Sequence, residues 1–202
     1  KNTGIAPFDA PKPLLDAINL KELKLAVGGG TAVQQGTAER WLAATGVPIC
    51  EGYGLSETSP LASCNVVTAK QWSGTIGLPV SNTELAIRDD DGRDVPVGER
   101  GEICIRGPQV MAGYWNRPEA TAEAITPDGW LKTGDAGYRD ADGYVFVHDR
   151  VKDMIISGGE NIYPAEVENA ILGCPGVADA AVIGVPDERW GEAVKAIVVA
   201  HP

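Results

Sequence analysis

The residues best suited to chemistry lie together between Glu51 and Thr58, in the order Glu-Gly-Tyr-Gly-Leu-Ser-Glu-Thr. An aromatic ring such as that of Tyr53 can cover a flat base, and flanking glycines let backbone approach a ligand closely. The Ser56 hydroxyl can donate to a phosphate oxygen, and the Glu57 carboxylate suits a hard cation such as Mg²⁺. The segment therefore predicts a site for a nucleotide with its metal ion. A Gly-rich turn around a core tyrosine is the competing interpretation.

Two further polar segments follow at long intervals: Thr133-Gly134-Asp135 and Asp149-Arg150-Val151-Lys152-Asp153. A carboxylate after a Gly turn can accept from the hydroxyls of a ribose, as acidic residues do in other nucleotide sites. Local sequence leaves alternatives open, because Asp135 could form an Asx turn and Arg150 a surface ion pair. These segments in one chain favour a nucleotide site over isolated turns.

Composition limits the partners that the chain can have. Its 202 residues carry a net charge of −11, and 44% of them are hydrophobic. That length is enough for one large domain or two small ones with a core. A strongly acidic chain argues against a nucleic-acid partner, which needs a basic face. The four cysteines lack metal-site spacing and the two histidines, His148 and His201, are too few for a His-rich metal site.

The two ends of the sequence suggest a piece of a larger protein. The chain begins at Lys1 without Met and stops at His201-Pro202, directly after an apolar run. No run is long and apolar enough to span a membrane, and no secretory leader is visible. We expect a cytoplasmic protein, with peripheral contact to a membrane left open as an alternative.

The first part of the chain has an α/β pattern. Residues 24–27 predict a buried strand that ends in the turn Gly28-Gly29-Gly30. Residues 32–44 predict a helix with Thr31 as its N-cap and Gly46 as its stop. A second short strand, residues 47–50, then leads into the Tyr53 turn.

From residue 75 onward the pattern changes to short β runs separated by turn residues. Residues 84–87, 102–106 and 144–147 predict a small antiparallel sheet or barrel. Beyond Arg150, a strand (154–156), a loop (157–161), a helix (165–172) and two strands (180–185 and 193–200) predict a small α+β unit.

Taken together, these segments resemble the adenylate-forming (ANL) superfamily of acyl-CoA synthetases, peptide-synthetase adenylation domains and luciferases. Residues 51–57 resemble its Tyr-Gly-x-Thr-Glu motif with Ser56 in place of Thr, and residues 129–135 resemble its Trp-x-x-Thr-Gly-Asp motif. Residues 101–114 resemble its Gly-Glu-Leu…Gly-Tyr motif, 150–152 its hinge and 157–168 the segment that follows. The last of these, with Gly54 to Pro60, is most similar to the acyl-CoA synthetase and long-chain fatty-acid–CoA ligase branch.

The resemblance implies a fold of class α/β plus β. Residues 1–150 would be the last part of the large N-terminal domain, with an α/β segment (1–71) and a β-rich subdomain (72–150) that forms a small antiparallel β-barrel. Residues 151–202 would begin a truncated α+β C-terminal domain.

The resemblance also implies a reaction with ATP, Mg²⁺ and CoA, in which a carboxylic acid becomes an acyl-adenylate and then a thioester. Tyr53 would stack on adenine, Ser56 would bond the α-phosphate and Glu57 would hold Mg²⁺. Asp135 and Arg150 would bind the ribose, Lys152 would be the hinge and Gly158 with Gly159 would line the path of CoA. The remaining residues implied at the ATP or AMP site are Gly29, Gly30, Glu51, Gly52 and Gly54.

Two family elements are not found in this sequence: a Ser/Thr/Gly-rich phosphate loop and a late catalytic lysine. We therefore expect the 202 residues alone to be inactive, to bind AMP weakly and to self-associate, while the parent protein is an enzyme. An amino-acid or aryl-acid adenylation domain and a luciferase-like oxygenase are the alternatives within the superfamily. A non-catalytic nucleotide-binding module of the same fold is the alternative from another class.

Overall fold

The structure is a computed structural model that describes residues 20–201. Within that range the chain divides into two compact units. The first comprises residues 20–84, 107–112 and 143–145, and the second comprises residues 85–106, 113–142 and 146–201. The domain boundary expected at residue 150 remains a prediction.

The first unit is built on a four-stranded sheet with one helix. Its elements are β1 (Ala26–Gly28), α1 (Gln35–Thr45), β2 (Ile49–Tyr53), a 3₁₀ turn (Ser56–Thr58), β3 (Ser63–Cys64) and β4 (Leu78–Pro79). The strand order is β1-β2-β3-β4, in which β1 and β2 are parallel and the other pairs antiparallel. The strand–helix–strand pattern predicted for this part is confirmed.

Helix α1 begins three residues later than predicted, and Thr31 is not its cap. The backbone N–H of Val33 donates to Oε1 of Glu51 at 3.2 Å, so this carboxylate holds the residues before Gln35 in a loop. The helix ends as predicted, because Gly46 adopts φ 72° and donates its N–H to the Leu42 carbonyl at 2.8 Å.

One four-stranded sheet of the second unit follows the order β5-β6-β7-β8. Its strands are β5 (Glu84–Arg88), β6 (Gly101–Arg106), β7 (Leu131–Arg139) and β8 (Val145–Arg150), with α2 (Pro118–Ala124) between β6 and β7. Ile103, Ile105 and Leu131 are fully buried and form its core. The predicted antiparallel sheet is confirmed. The expected barrel is wrong, because among the described residues no pairing joins β8 to β5. Four strands are too few to close a barrel.

The last part of the second unit is an α+β arrangement. A 3₁₀ turn (Val151–Asp153) leads to β9 (Ile155–Ser157), β10 (Glu160–Ile162), α3 (Pro164–Leu172), β11 (Val177–Asp187) and β12 (Gly191–Ala200), with strand order β10-β9-β12-β11. The predicted loop 157–161 is a hairpin instead. Gly158 and Gly159 both have positive φ, 60° and 88°, which is the signature of a two-residue hairpin turn.

No helix among residues 20–201 has the length and apolar character needed to cross a bilayer.

Candidate functional site

The segment from Glu51 to Thr58 turns out of strand β2 and is covered by the chain that returns after it. The Tyr53 carbonyl accepts from the Ala62 N–H at 2.8 Å, and Tyr53 pairs with Ser63 across the antiparallel ladder. A Cβ at Gly52 would lie 3.0 Å from Cδ1 of Leu61, and one at Gly54 would overlap the Pro60 carbonyl. Close packing therefore requires glycine on both sides of Tyr53. The chain that packs against these glycines also holds the half-buried Tyr53 in place.

The glycines after β1 meet the same segment. A Cβ at Gly29 would lie 2.8 Å from the carbonyl oxygen of Gly52, so the two backbones approach each other closely. Gly30 has φ 87° and open space around its Cα. Backbone conformation requires glycine at Gly30, whereas contact with β2 requires it at Gly29. The structure brings Gly29 and Gly52 together, as the predicted adenine site needs.

Glu51 is the buried charge of this region, with 8% of its surface exposed. Burial raises the pKa of its carboxyl, and the Val33 N–H and the Trp72 indole lower that pKa in part. Oε2 of Glu51 and Nε1 of Trp72 are both buried, and neither makes a hydrogen bond of regular geometry. Glu51 thus has a structural role, because its Oε1 accepts from the Val33 N–H and holds the loop after β1.

Ser56 and Glu57 lie in the 3₁₀ turn after Gly54. The buried Thr58 hydroxyl anchors this turn by accepting from the Leu55 N–H at 2.9 Å and donating to the Pro60 carbonyl at 2.7 Å. Ser56 is exposed and Glu57 half-buried. No group of three or more His, Cys, Asp or Glu side chains is placed for a metal among residues 20–201. A single carboxylate such as Glu57 still fits Mg²⁺, which commonly binds one or two carboxylates together with substrate phosphates.

In the second unit, Asp135 sits on a bulge of strand β7. Glu102 pairs with Ala136 and Cys104 with Lys132, so β7 has two more residues than β6 between these pairs. The Thr133 hydroxyl donates to the Ile103 carbonyl at 2.7 Å, and the Gly134 N–H donates to Oε1 of Glu102 at 2.9 Å. Bulges re-aim side chains and are frequent next to active sites. Here the bulge sets the position of the Asp135 side chain.

The carboxylate of Asp135 is paired with Arg150. Oδ1 of Asp135 lies 2.9 Å from Nε of Arg150, and the Asp135 side chain is 9% exposed while that of Arg150 is 51% exposed. The pair joins β7 to the end of β8. A buried carboxylate beside a half-exposed guanidinium leaves donors of Arg150 facing solvent and oriented by Asp135. The two residues predicted to share one ligand are therefore brought together.

The remaining predicted residues lie beyond β8 in the same unit. Lys152 is exposed within the 3₁₀ turn Val151–Asp153. The indole of Trp190 covers Gly158, whose N–H donates to the Trp190 carbonyl at 2.8 Å. Gly159 has open space at its Cα. The structure thus explains Gly158 by the Trp190 contact and places no obstacle at Gly159.

Sequence reasoning missed a cluster of side chains around the start of α3. Nδ1 of His148 lies 2.6 Å from Oε1 of Glu166, and Asp149 accepts from the Ala165 N–H at 2.9 Å. The only local signal was the start of α3, where Tyr163-Pro164 offers the helix no side-chain cap. The acceptor is sixteen residues away, which sequence reading cannot supply.

Comparison with known proteins places this geometry in a family. Residues 6–115, just over half of the chain, match the family described as AMP-binding enzyme. Residues 166–202 match the family described as AMP-binding enzyme C-terminal domain.

Curated relatives include a long-chain-fatty-acid–CoA ligase and a feruloyl-CoA synthase. A long-chain-fatty-acid–CoA ligase of Yersinia pestis is 50% identical over 182 residues, which are 90% of this chain and 32% of that protein. A feruloyl-CoA synthase of an Amycolatopsis species is 48% identical over 191 residues, 94% of this chain and 38% of that protein. The chain thus spans about a third of the length of the curated relatives it matches.

Solved structures agree with these relatives. ATP-bound MatB from Rhodopseudomonas palustris is 38% identical with a TM-score of 0.83, over 88% of this chain and 35% of that one. The amide bond synthetase McbA from Marinactinospora thermotolerans is 35% identical with a TM-score of 0.84, over 94% of this chain and 39% of that one. Fold and sequence together show that the chain belongs to the AMP-binding enzyme family, in the acyl-CoA synthetase branch of the adenylate-forming superfamily.

Proposed function

We propose that the chain is part of an ATP-dependent acyl-CoA synthetase. The enzyme would activate a fatty or related carboxylic acid as an acyl-adenylate and transfer it to CoA. The observation that carries the proposal is the likeness to acyl-CoA ligases over nine-tenths of the chain, at 50% identity for the Yersinia pestis protein. The cytoplasmic location expected above belongs to the same proposal.

The residues of the first unit are proposed to act on the base and the phosphates. The Tyr53 ring would stack on adenine, beside the backbones of Gly29, Gly30, Glu51, Gly52 and Gly54. The exposed Ser56 hydroxyl would donate to the α-phosphate as its charge develops. Glu57 would hold Mg²⁺, which when bound supplies charge neutralisation on the phosphate oxygens.

The residues of the second unit are proposed to hold the ribose and to permit the second half-reaction. Asp135 would accept from ribose hydroxyls, and Arg150, oriented by its 2.9 Å contact with Asp135, would donate to them. Lys152 would be the hinge on which the segment after it turns, in line with its exposed position in a short 3₁₀ turn. Gly158 and Gly159 would line the path of CoA, where Gly159 has open space at its Cα and Gly158 packs against the Trp190 indole.

A second candidate substrate class is an aryl carboxylic acid. The feruloyl-CoA synthase at 48% identity supports it nearly as well as the long-chain ligases support fatty acids. Both candidates share the adenylate and the thiol acceptor and differ only in the acid.

The test is pyrophosphate release by the full-length parent enzyme across long-chain, medium-chain, aryl and amino acids, with and without CoA. We expect release with a fatty or aryl acid and thioester formation only when CoA is added. Release with amino acids alone, or adenylate formation with no thioester in the presence of CoA, would contradict the proposal.

A further inference from the structure

The first turn of helix α3 is capped by a residue from strand β8. Helix N-termini leave backbone N–H groups without partners inside the helix. The residue before α3, Tyr163, provides no side-chain cap, and the Ala165 N–H instead donates to Oδ2 of Asp149 at 2.9 Å. A carboxylate at this end of a helix also interacts favourably with the helix dipole. The start of α3 thus depends on Asp149.

A second contact ties the same helical turn to the residue before Asp149. Oε1 of Glu166 lies 2.6 Å from Nδ1 of His148 and accepts from Nη2 of Arg100 at 2.9 Å. The His148 ring also lies between Tyr138 and Tyr163, with centroid distances of 5.2 Å and 5.3 Å. The His148 side chain is only 12% exposed. Two consecutive residues of β8 therefore clamp one turn of α3.

The next residue of β8 is Arg150, which pairs with Asp135. His148, Asp149 and Arg150 are consecutive on one strand, so a change in the path of its last residues moves all three contacts together. The exposed 3₁₀ turn Val151–Asp153 follows at once and contains no buried residue. One strand end thus contacts both the ion pair and the helix.

We propose that His148 and Asp149 are positioning residues that clamp the first turn of α3. Through them, the order of this turn depends on whether a ligand is bound to the Asp135–Arg150 pair. The inference rests on the proposed function, in which that pair binds the ribose of a nucleotide. Coupling of this kind is reciprocal, so a ligand that favours one arrangement of β8 also favours the docked helix. A nucleotide held by Arg150 would fix the strand end and so stabilise the cap at Ala165.

The probe is AMP at saturating concentration on the 202-residue chain, with amide hydrogen exchange of residues 163–168 as the readout. Calorimetric titration measures AMP binding separately. We expect AMP to slow exchange at the first turn of α3 by about fivefold or more, a range that a coupling of ordinary size produces. In Asp149→Ala, AMP should still bind while its effect on exchange at α3 disappears.

Three further variants sharpen the test. Asp149→Asn keeps an acceptor oxygen and should restore much of the AMP effect, whereas His148→Phe keeps the ring stack and should lose part of it. Glu188→Gln, an exposed carboxylate outside the clamp, should behave as the unaltered chain. Circular dichroism checks that each variant is folded, and His148→Phe carries the test if Asp149→Ala is not.

The outcomes separate the two proposals. AMP binding with unchanged exchange at residues 163–168 would overturn the coupling and leave the nucleotide site in place. Equal slowing in Asp149→Ala and in the unaltered chain would also overturn it. Failure of AMP to bind would overturn the proposed nucleotide site and with it the inference.

Discussion

A Cβ on Gly158 would lie 2.6 Å from Cε3 of Trp190, because the indole packs directly against this glycine. Gly158 also has φ 60°, a left-handed backbone conformation that residues other than glycine rarely adopt. Gly158→Ala should therefore lower the free energy of unfolding by about 2–3 kcal/mol through strain and overlap together. Urea denaturation followed by circular dichroism measures this.

The matched control is Gly159→Ala. Gly159 has φ 88° but open space at its Cα, so only backbone strain applies and the loss should be about 1 kcal/mol. Equal losses for the two variants would mean that the Trp190 contact contributes nothing. If Gly159→Ala lowered thioester formation in the parent enzyme while adenylate formation stayed unchanged, the proposed CoA path would gain support.

Glu57→Gln in the parent enzyme should cut adenylate formation at limiting Mg²⁺ with little loss of stability. The amide keeps the shape of the side chain but removes a hard anionic metal ligand. Pyrophosphate release at several Mg²⁺ concentrations is the measurement, and we expect about tenfold or greater loss that excess Mg²⁺ partly restores. Release that matches the unaltered enzyme at every Mg²⁺ concentration would sink the assignment.

Lys152→Pro should leave adenylate formation largely intact and block thioester formation. Proline fixes φ, and a segment that turns about this residue needs a free dihedral. Separate assays of pyrophosphate release and acyl-CoA formation in the parent enzyme distinguish the two steps. Lys152→Ala, which removes the charge but not the rotation, is the control, and an equal fall of both half-reactions in the Pro variant would refute the hinge.

The clamp at His148 predicts a stability that falls in acid. Burial, and secondarily the Arg100 guanidinium, lower the pKa of His148, while Glu166 and Asp149 raise it in part. The Nε2 atom is buried without a partner, so a proton there would be an unsatisfied donor. Since the folded pKa lies below the ordinary value, this contribution is complete above about pH 6.5 and is lost as the pH falls.

Urea denaturation between about pH 8 and about pH 5 measures this dependence against a His148→Phe variant, which cannot titrate there. The free energy of unfolding of the unaltered chain should fall more steeply towards acid than that of the variant. Tyr138, Tyr163, Arg100, Glu166 and Asp149 face the ring in both proteins, so the difference in slope reports His148. Parallel slopes would contradict the prediction.

The cysteines should differ widely in their rates of alkylation. Burial first, and then the Cys64 thiol, raise the pKa of Cys50 to about 11, while burial first and then the Glu102 carboxylate raise that of Cys104 to about 11. Cys174 is exposed. At pH 8 a thiol with such a raised pKa is only about a thousandth thiolate. Mass spectrometry after brief iodoacetamide treatment should find label on Cys174 well before Cys50 or Cys104.

A Cys174→Ser variant should lose the fast label. Equally fast labelling of Cys50 would mean that this part of the first unit opens readily.

Local sequence predicted the elements whose signals are short-range. The strands around Val27 and Ile103, the end of α1 at Gly46 and the start of α3 at Pro164 follow from apolar runs and from the backbone preferences of Gly and Pro. A strand before the Ser56–Thr58 turn was also predicted, but it was placed at residues 47–50, whereas β2 runs from Ile49 to Tyr53 and includes the first three residues of the segment Glu51–Thr58.

Local sequence failed where distant contacts decide the structure. The start of α1 shifted because Glu51 takes the Val33 N–H, eighteen residues away. Strand β7 was missed because Thr133-Gly134-Asp135 resembles a turn, whereas the ladder with β6 holds it as a bulge. The clamp on α3 by His148 and Asp149 has no signal at all in either segment alone.

The bulge in β7 interrupts the ladder with β6, and the Asp135–Arg150 pair depends on it. Removing Thr133 and Gly134 would leave as many residues between Lys132 and Ala136 as between Glu102 and Cys104, and the ladder would become an ordinary one. Such a deletion would remove the Thr133 hydrogen bond to the Ile103 carbonyl and the Gly134 hydrogen bond to Glu102, but it would leave the buried residues Ile103, Ile105 and Leu131 in the sheet. It would also return Asp135 to the pleat and separate it from Arg150. A deletion that removes the bulge from β7 would therefore leave a folded protein without its carboxylate–guanidinium pair.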